Sequence, residues 1–600
     1  MSKQNVREVV APPSVTEATR SGRMNRPMSL AEQLRARPDV MVNHEGGIAF
    51  KMPANLKLLT KCFASLMNEK TFYTDAATGN QELFQAVHEA AQENPELVLK
   101  IAAYGRDKMN MRSTPIAILA EAASIPACKP FVRQYTSAIL RRADEPAELM
   151  AYWIHRHGQI GARGEKGGEH AFPNSLKRGI EDVLHSFDEY EYAKYDRDGG
   201  VKMRDVFKIV RPKPQNEQEQ ALFAYIVKGE LNEARLPLIA AKKKLMQKET
   251  LDEEALSLAD QAHATWEVLS SKFGRKKETW DAIAQHLPIM ASIRNLGNIL
   301  ESGSEAAVER VLSQLRDPKA VANSRQLPYR FFSAFKALDQ RGGEMNPHRS
   351  EARDALQAAL QFSTDNLPHL PGTTFITTDN SGSMQSPVSG KSTVTFQEVG
   401  NLLGAMAHRM CDRAIVSVFG EGHQVVDVSR MDGVLTNMNK LNTTDVGHST
   451  NAYLTIRHLL EKRVQVDRII IFSDMQCYDS AGGDYSYGGS LAEEVARYRS
   501  TVNPDVHVIS VDLAGHGTSQ FPMDDKNLTM LAGWSDRVLA LIAMKERGAE
   551  SILVDVTKHT PRKRRARKTS PSAIAAQSVA TEEDGGTEDA DVSEETEVTE

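Results

Sequence analysis

Cysteine is scarce in this sequence, and its scarcity argues against two kinds of scaffold. Only four cysteines occur in 600 residues, Cys62, Cys128, Cys411 and Cys477, and they are far apart. Structural zinc sites need closely spaced Cys or His ligands, and small secreted domains need many cysteines for their disulfides. We therefore expect neither, and a reducing compartment such as the cytoplasm fits this composition.

Long apolar runs are also absent. No stretch approaches the roughly 20 apolar residues of a membrane helix, and the opening MSKQNVREVVAPPS has no apolar segment of signal-peptide length. We therefore expect neither membrane insertion nor secretion by that route. The apolar and charged fractions, 41% and 25%, are those of ordinary folded proteins. A chain of this length exceeds what one hydrophobic core usually supports, which predicts two or more domains.

Excess charge of one sign is confined to the end of the chain. The formal net charge is −6, but the last twenty residues are densely acidic, so the rest is close to neutral or slightly basic. Residues 550–600 contain the basic run HTPRKRRARK, a Ser/Ala/Thr stretch and then the acidic run. Blocks of one sign cannot bury a core, which predicts a disordered tail. Whether nucleic acid is a partner therefore depends on local patches.

Residues 46–365 have a helical pattern, whereas residues 1–45 have none and are predicted to form a weakly ordered arm. Apolar residues recur at helical spacing in QELFQAVHEAAQ; Asn94-Pro95 then opens a second helix, which ends before Gly105, and Thr114-Pro115 opens a third. Helices in series without strands between them favour an α-solenoid of stacked helix pairs. The Gly-rich residues 158–168 interrupt the helices and predict a mobile loop.

The pattern changes to alternating strands and helices over residues 370–546. Short β-rich runs occupy 373–379, 413–420, 467–474 and 505–513, with helical segments between most of them. This alternation predicts a mainly parallel sheet covered on both faces. Ligands of such a sheet bind at the carboxyl ends of its strands.

Oxygen-bearing side chains follow these strands. Asp379, Ser381 and Ser383 come after the first, Asp474 ends a later one, and Thr450 lies in a loop between them. Carboxylate and hydroxyl oxygens, without His or Cys, suit a hard divalent cation such as Mg²⁺, which keeps several waters and leaves a position for a ligand's oxygen. Alternatively, these residues form only a polar turn in which Asp and Ser bond their own backbone.

Other chemistry has weaker support. Gly390-Lys391-Ser392 ends like a phosphate-binding loop, but Gln385 stands where that motif needs a glycine. No Ser/His/Asp or Cys/His set stands out, and the scattered histidines are interpreted as surface or core residues. We therefore predict no catalytic residues.

The acidic and hydroxyl loops resemble the metal-ion-dependent adhesion site of von Willebrand factor A domains. In that family two serines and a threonine bind the ion, and the aspartates act directly or through water. The resemblance assigns these roles to Ser381, Ser383, Thr450, Asp379 and Asp474. Thr443, Thr444 and Ser449 lie close to Thr450 in the sequence, so the register of the threonine ligand stays open.

A basic cluster occupies the segment KYDRDGGVKMRDVFKIVRPK in the helical part. Its cationic residues are Lys194, Arg197, Lys202, Arg204, Lys208, Arg211 and Lys213. A helix would align Arg204, Lys208 and Arg211 on one face, with Tyr192 and Tyr195 nearby. Such a face suits phosphate contact and base stacking on single-stranded RNA, although a run of charge is also typical of a plain solvated helix.

The order of helical array and A domain, together with several segments, resembles the TROVE module of the Ro ribonucleoprotein autoantigens and their bacterial relatives. These segments are MRDVFKIVRPKP followed by a Lys-Gly turn, the Arg294-Asn295-Leu296-Gly297 turn, LPYRFFSAFKAL and DLAGHGTSQFPMDDKNLTMLAGW. The resemblance covers most of residues 55–546. It implies an α + α/β fold, in which HEAT-like helical repeats close into a ring and a Rossmann-like doubly wound A domain bridges its ends.

The same resemblance implies a function. The chain would be a noncatalytic RNA-binding scaffold of a small ribonucleoprotein that binds Y-like noncoding RNA, or misfolded small RNAs with single-stranded 3′ ends, in RNA quality control or processing. It would be a monomeric ring whose metal site recruits a partner, an exoribonuclease such as polynucleotide phosphorylase. Two alternatives stay open: a metal-dependent protein-interaction module without an RNA role, and a hydrolase that uses the cation.

Overall fold

The computed structural model describes residues 28–158, 172–195, 200–324, 326, 328–340, 347–364, 367–390, 392–478, 490–534, 537–546 and 552–561. The predicted Gly-rich loop from residue 159 onward and the tail from residue 562 onward lie outside these ranges. None of the described helices is both long enough and apolar enough to cross a membrane.

Before the main sheet, the described residues form mostly helices. They are α1 (Leu30–Arg35), α2 (Ala54–Ala64), α3 (Ala76–Glu93), α4 (Pro95–Lys108), α5 (Ser113–Ser124), α6 (Lys129–Ile139), α7 (Glu145–His157), α8 (Asn174–Leu184), α9 (Glu189–Lys194), α10 (Met203–Val210), α11 (Glu217–Lys228), α12 (Pro237–Leu245), α13 (Glu253–Gln261), α14 (Trp266–Phe273), α15 (Lys277–Ala284), α16 (Ile289–Ser302), α17 (Glu305–Arg316), α18 (Pro318–Ser324), α19 (Pro328–Gln340) and α20 (Arg349–Thr364). Two short strands, β1 (Val40–Val42) and β2 (Ile48–Lys51), precede α2.

The A domain follows as alternating strands and helices. Its elements are β3 (Leu370–Asp379), a 3₁₀ turn (Ser383–Gln385), α21 (Phe396–Met410), β4 (Cys411–Phe419), β5 (His423–Val425), α22 (Val434–Thr443), α23 (Tyr453–Glu461), β6 (Arg468–Ser473), α24 (Leu491–Thr501), β7 (His507–Asp512), β8 (Thr518–Ser519), β9 (Leu528–Ala532) and α25 (Arg537–Glu546). One more helix, α26 (Ile552–Lys558), comes after it.

Helix boundaries follow local capping chemistry. The side chain of Asn94 accepts a hydrogen bond from the backbone N–H of Leu97, and Pro95 takes the first helical position of α4, as its sequence predicts. In the first part of the array successive helices pack on each other, α2 on α3, α3 on α4 and α4 on α5, and farther along α6 packs on α8. This confirms the array of stacked helices that the sequence predicts.

Two helical details differ from the sequence interpretation. The helix α4 does not end before Gly105 but runs through it to Lys108. Glycine is needed there for packing, because a Cβ at Gly105 would lie 2.8 Å from the Cys62 Sγ of α2. The Arg294–Gly297 segment is not a turn but part of α16, where Asn295 and Leu296 are buried.

The main sheet has the strand order β5-β4-β3-β6-β7-β9, parallel except for the edge strand β5. Successive residues of β6 point to opposite faces. Ile469 and Ile471 pack with α23 and α24, whereas Ile470 and Phe472 pack with α21. Helices therefore cover both faces, which confirms the doubly wound domain.

The residues predicted as a weakly ordered arm are ordered from residue 28 onward. Ser29 and Glu32 form a capping box at the start of α1, and β1 pairs with β2, which pairs with β8 of the A domain. The arm prediction is therefore wrong for residues 28–45. Long-range strand pairing orders them, and it has no signal in local periodicity.

The A domain contacts both ends of the helical array. Near the first helices, Lys61 of α2 donates a hydrogen bond from Nζ to the Gly515 carbonyl oxygen at 3.3 Å. At the other end, Tyr329 of α19 packs against Trp534, with ring centroids 5.4 Å apart, and Lys336 pairs with Glu398 of α21. The array therefore returns on itself through the A domain.

The segment predicted as a disordered tail begins with an ordered helix. Ile552 and Val556 of α26 are buried, and α26 packs on α4. His559 then lies 3.0 Å from Asp107, from Nε2 to Oδ2. The tail prediction is wrong for residues 552–561, because Ile552 and Val556 share one helical face that the array covers.

Candidate metal centre and basic surface

The first loop of the candidate metal centre begins where β3 ends. Asp379 Oδ1 accepts a hydrogen bond from the backbone N–H of Ser381 at 2.9 Å, and the Ser473 hydroxyl donates to Asp379 Oδ2 at 2.6 Å. The hydroxyl oxygens of Ser381 and Ser383 lie 3.4 Å apart. All three of Asp379, Ser381 and Ser383 are buried. The loop is therefore a fixed, water-poor cluster of oxygen atoms.

The second loop lies beside it because β3 and β6 are neighbours in the sheet. Their pairing places Thr378 opposite Phe472, so Asp379 and Asp474 emerge at the same carboxyl edge. Asp474 is buried, and its Oδ1 accepts a hydrogen bond from the backbone N–H of Gln476 at 3.1 Å. The two aspartates thus meet at the edge of the sheet where the sequence places them.

The third loop carries Thr450 and contacts both of the others. The backbone N–H of Gly382 donates to the His448 carbonyl oxygen at 2.9 Å, and that of Tyr478 donates to the Thr450 carbonyl oxygen at 2.8 Å. Thr450 is buried, and its hydroxyl makes no hydrogen bond to any residue that the structure describes.

The two threonines before Thr450 in the sequence, Thr443 and Thr444, use their hydroxyls in other hydrogen bonds. Thr443 donates its hydroxyl hydrogen bond to the Asn439 carbonyl oxygen at 2.8 Å, and Thr444 donates to that of Lys440 at 2.7 Å. Both hydroxyls therefore satisfy the end of α22. Of these three threonines, Thr450 has the hydroxyl that is available to an ion.

Electrostatics favour a cation between the two loops that carry aspartates. Burial, opposed by hydrogen bonds from Ser381 and Ser473, raises the pKa of Asp379. Burial and then the charge of Asp379 raise the pKa of Asp474. No lysine or arginine among the described residues forms an ion pair with either aspartate. Buried carboxylates without a counter-charge are costly, so a divalent ion would supply what the site lacks.

A third aspartate, Asp512, lies at the same edge and is one that the sequence analysis missed. Burial raises its pKa to about 6, against hydrogen bonds from the backbone N–H groups of Gly515 and Ala514. Its Oδ2 is buried without a hydrogen-bond partner, and its charge acts on Asp474. The sequence does indicate Asp512, because it is the last residue of β7, just as Asp474 directly follows β6.

The donor set fits a hard ion better than a soft one. No group of three or more His, Cys, Asp or Glu side chains that could hold a metal occurs in the part of the chain that the structure describes. The candidate centre depends on serine and threonine hydroxyls beside two aspartates. Hydroxyl and carboxylate oxygens suit Mg²⁺ rather than zinc or copper.

Two residues from the start of the chain also reach this centre, and no local pattern indicates them. The Tyr73 hydroxyl donates a hydrogen bond to Glu45 Oε1 at 2.6 Å. Burial raises the pKa of Tyr73, and so does the charge of Asp474, while a hydrogen bond with Ser383 lowers it. The charge of Glu45 is among the causes that raise the pKa of Asp379.

The basic cluster lies on α9, α10 and the segment after them. The described members are all exposed: Lys194, Lys202, Arg204, Lys208, Arg211 and Lys213. Arg197 lies outside the described residues. Lys208 and Lys213 form no ion pair with a described acidic residue, whereas Arg204 lies 3.9 Å from Asp205. We call these six exposed residues the basic surface.

The helix α10 has one cationic and one apolar face. Arg204 and Lys208 are exposed, whereas Val206 and Phe207 are buried, and the Phe207 ring lies 4.9 Å from that of Phe223 between centroids. Arg211 follows as the C-cap in the left-handed region, with φ at 58°, and donates from Nε to the Lys208 carbonyl oxygen at 3.1 Å. The helical alignment predicted for Arg204 and Lys208 is confirmed.

The two tyrosines beside the basic surface are not free stacking platforms. Tyr192 is buried and donates its hydroxyl hydrogen bond to the Leu184 carbonyl oxygen at 2.8 Å. The Tyr195 ring already has the Arg142 guanidinium 4.4 Å and the Lys194 ammonium 5.1 Å from its centroid. The prediction of base stacking is therefore wrong for Tyr192, because this ring completes the core beneath α10.

Comparison with known proteins gives matches to two domain families. The TROVE domain model matches residues 52–264 and 261–359, together more than half of the chain, and the Ro60 vWA domain model matches residues 373–544. The crystal structure of the Deinococcus radiodurans RO (RSR) protein covers 82% of this chain and 100% of its own, with a TM-score of 0.60 at 19% identity. At that identity the likeness concerns the fold.

Two curated relatives match part of the chain. Telomerase protein component 1 of Rattus norvegicus is 29% identical over 345 residues, which are 48% of this chain and 13% of that protein. Its counterpart from Mus musculus is 29% identical over 344 residues, with the same coverage. The chain therefore spans only a small part of the length of these relatives.

Proposed function

The chain belongs to the TROVE family and carries a Ro60 vWA domain, and from this membership we propose that it is a noncatalytic RNA-binding scaffold of a small ribonucleoprotein. Its ligands would be Y-like noncoding RNA, or misfolded small RNAs with single-stranded 3′ ends, in RNA quality control or processing. The observation that carries the proposal is the basic surface on a rigid array of helices.

The placement of the cations supports phosphate contact. Lys208 and Arg211 are exposed at the end of α10, where the buried Phe207 fixes the helix on α11. Lys208 has no acidic partner among the described residues, so binding RNA would not first require breaking an ion pair. Phosphates displace condensed counterions when they bind such residues, which makes the affinity dependent on salt.

Gel-shift titration with a structured RNA that has a 3′ single-stranded tail tests the proposal. We expect Lys208→Ala with Arg211→Ala to weaken binding and to reduce the slope of log affinity against log salt by about 0.7 to 0.9 for each phosphate that the variant no longer neutralises. The matched control is Lys319→Ala with Arg310→Ala, which removes two exposed cations from α17 and α18. Equal binding by both double variants contradicts the assignment of the RNA face.

We also propose that the three loops hold one Mg²⁺ ion through Ser381, Ser383 and Thr450, with Asp379 and Asp474 direct or through water. The ion would supply a positive charge and an open position for an acidic side chain of a protein partner, an exoribonuclease such as polynucleotide phosphorylase. The uncompensated buried carboxylates of Asp379 and Asp474 support this.

Partner recruitment is tested separately from RNA binding. Immobilised protein loaded with Mg²⁺ should retain the exoribonuclease after nuclease treatment, and Asp379→Asn should release it while RNA gel shifts stay unchanged. Retention of the partner by Asp379→Asn contradicts docking through the metal. Absence of any RNA binding by the unaltered chain would favour a metal-dependent protein-interaction module without an RNA role.

A further inference from the structure

The tip of the β1–β2 hairpin lies directly on a loop of the metal centre. Asn43 donates a hydrogen bond from Nδ2 to the Cys477 carbonyl oxygen at 2.7 Å, and the backbone N–H of His44 donates to Gln476 Oε1 at 2.9 Å. These two acceptors follow Asp474 within three residues. The hairpin tip, residues 43–47, is therefore anchored to the loop that carries a proposed ligand.

The anchoring is tight enough to fix the position of the tip. A Cβ at Gly47 would lie 2.1 Å from the Cys477 carbonyl oxygen, so only glycine permits this approach. Asn43 Oδ1 accepts hydrogen bonds from the backbone N–H groups of Glu45 and Gly47, at 3.1 and 2.8 Å. Gly46 has φ at 85°, in the left-handed region. Glu45 is thus presented by a rigid turn.

Contacts from the helical domain complete a cover over the centre. The Tyr73 hydroxyl, which also interacts with Ser383, donates to Glu45 at 2.6 Å. The Tyr73 ring stacks on His44 at 5.2 Å and meets His516 edge-on at 5.2 Å, between centroids. Asp379 and Asp474 are buried, whereas Glu45 is exposed, so Glu45 stands on the solvent side of the centre.

We propose that Glu45 is an internal competitor at the metal centre. Its carboxylate would take the open position of the ion, to which a carboxylate of another protein would otherwise bind. The proposal rests on the metal centre proposed above. A carboxylate is the natural ligand for an open position on Mg²⁺. Glu45 is linked to the centre through the Tyr73 hydroxyl, and its charge acts on Asp379, so an ion at the centre would attract the Glu45 carboxylate as well as the two aspartates.

Glu45 would therefore lower the affinity of the ion for carboxylates of other proteins. An incoming carboxylate must displace Glu45 from the ion, or the hairpin tip from its place, before it binds. Its apparent affinity is therefore its intrinsic affinity multiplied by the fraction of molecules in which the position is free. If the position is free in one molecule in ten, the reduction is about tenfold. Weak carboxylate ligands would then be rejected, while a partner with additional contacts could dock.

The test uses the full-length protein, with Mn²⁺ as the ion and acetate as the carboxylate probe. Electron paramagnetic resonance gives the dissociation constant of Mn²⁺, and water proton relaxation of the Mn²⁺-loaded protein gives the acetate concentration at half-saturation. The variants are Glu45→Gln, which keeps the shape of the side chain, and Tyr73→Phe, which removes the hydroxyl that holds Glu45. The control is Glu93→Gln at the far end of α3, roughly 25 Å from the start of that helix.

We expect the acetate midpoint to fall several-fold, up to about tenfold, in Glu45→Gln. Tyr73→Phe should lower it less, and Glu93→Gln should leave it unchanged. The Mn²⁺ dissociation constant should rise in Glu45→Gln, because the centre loses one negative charge. An acetate midpoint that is the same in Glu45→Gln and in the unaltered chain overturns the proposal.

Failure of the metal centre itself would be recognised separately. If the unaltered chain binds no Mn²⁺, both the centre and the internal competitor are refuted. If it binds Mn²⁺ and loses it in Asp379→Asn, but acetate binding does not respond to Glu45→Gln, only the role of Glu45 is refuted. RNA gel shifts should be the same in all of these variants, since Glu45 and Tyr73 lie outside the basic surface.

Discussion

A single hydroxyl decides which threonine can serve the metal centre. Thr450 and Thr443 are seven residues apart, yet Thr443 caps a helix end while the Thr450 hydroxyl has no partner among the described residues. We predict that Thr450→Ala weakens divalent-cation binding by on the order of tenfold or more, since even residues that only support metal ligands cost 10- to 100-fold. Thr443→Ala is the matched control. Isothermal titration with Mg²⁺ or Mn²⁺ measures both, and equal affinities would remove Thr450 from the ligand set.

The buried aspartates predict an unusual pH dependence without metal. Burial raises the pKa of Asp379, Asp474 and Asp512 in the folded state, Asp512 to about 6 from an ordinary 3.8. At these three groups the folded chain holds more protons than the unfolded chain, so their contribution to stability falls as the pH rises above about 4. The lowered pKa values of the buried His423 and His516 act in the opposite sense, so the effect is measured in EDTA as a difference from Asp474→Asn. We expect the unaltered chain to lose melting temperature relative to this variant as the pH rises above about 4, and to lose less in saturating Mg²⁺. A difference in melting temperature between the two proteins that stays constant with pH in EDTA contradicts the prediction.

At the scale of one element, the apolar face of α10 contributes to stability, whereas its cationic face is proposed to bind RNA. Phe207 is buried against Phe223 and Tyr192, so Phe207→Ala should cost about 3 to 5 kcal/mol in the free energy of unfolding. Lys208→Ala, one residue away and exposed, should change it by less than about 0.5 kcal/mol. Urea unfolding followed by circular dichroism measures both. Similar losses in the two variants would mean that α10 is not seated as the structure shows.

The elements that the sequence predicted are those with a strong local period. The strands around Ile376, Val416, Ile470 and Ile509 are apolar and long enough to be recognised, and their ends located both aspartates of the centre. The strands β5 and β9 were missed, as were β1, β2 and β8. The strands β1, β2, β5 and β8 have two to four residues, too few to show a period, and β9 has five residues and is placed in the sheet by its pairing with β7.

The residues of the candidate metal centre also fall into those that a local sequence pattern predicts and those that it does not. Asp379, Ser381 and Ser383 lie in one short motif, and Asp474 follows a strand that the sequence shows clearly. Glu45 and Tyr73 could not be found in this way, because a hairpin and a loop more than 300 residues earlier bring them to the centre. Spacing predicts neighbours within an element or across paired strand ends, and it is silent on docking between domains.

At the scale of the whole molecule, α26 fastens the end of the A domain to the helical array. Ile552 and Val556 are buried on α4, and Lys100 donates from Nζ to the Thr557 carbonyl oxygen at 3.1 Å. We predict that truncation after residue 551 lowers the free energy of unfolding by roughly 3 kcal/mol or more, from two buried aliphatic side chains at about 1.5 to 3 kcal/mol each. Truncation after residue 561 is the control and should leave stability unchanged. Guanidinium unfolding distinguishes the two, and equal stabilities would show that α26 contributes nothing.

The pairing of the β1–β2 hairpin with the A domain has a further consequence for how the protein is made. Asn43 and the Cys477 carbonyl that it binds are 434 residues apart. A ribosome that adds 5 to 20 residues per second needs roughly 20 to 90 seconds to cover that distance. Throughout this time the open edge of β2 has no strand to pair with, which makes the nascent chain prone to wrong association. Synthesis that stops before β8 should therefore leave a product that chaperones retain, even though much of its helical array is already complete.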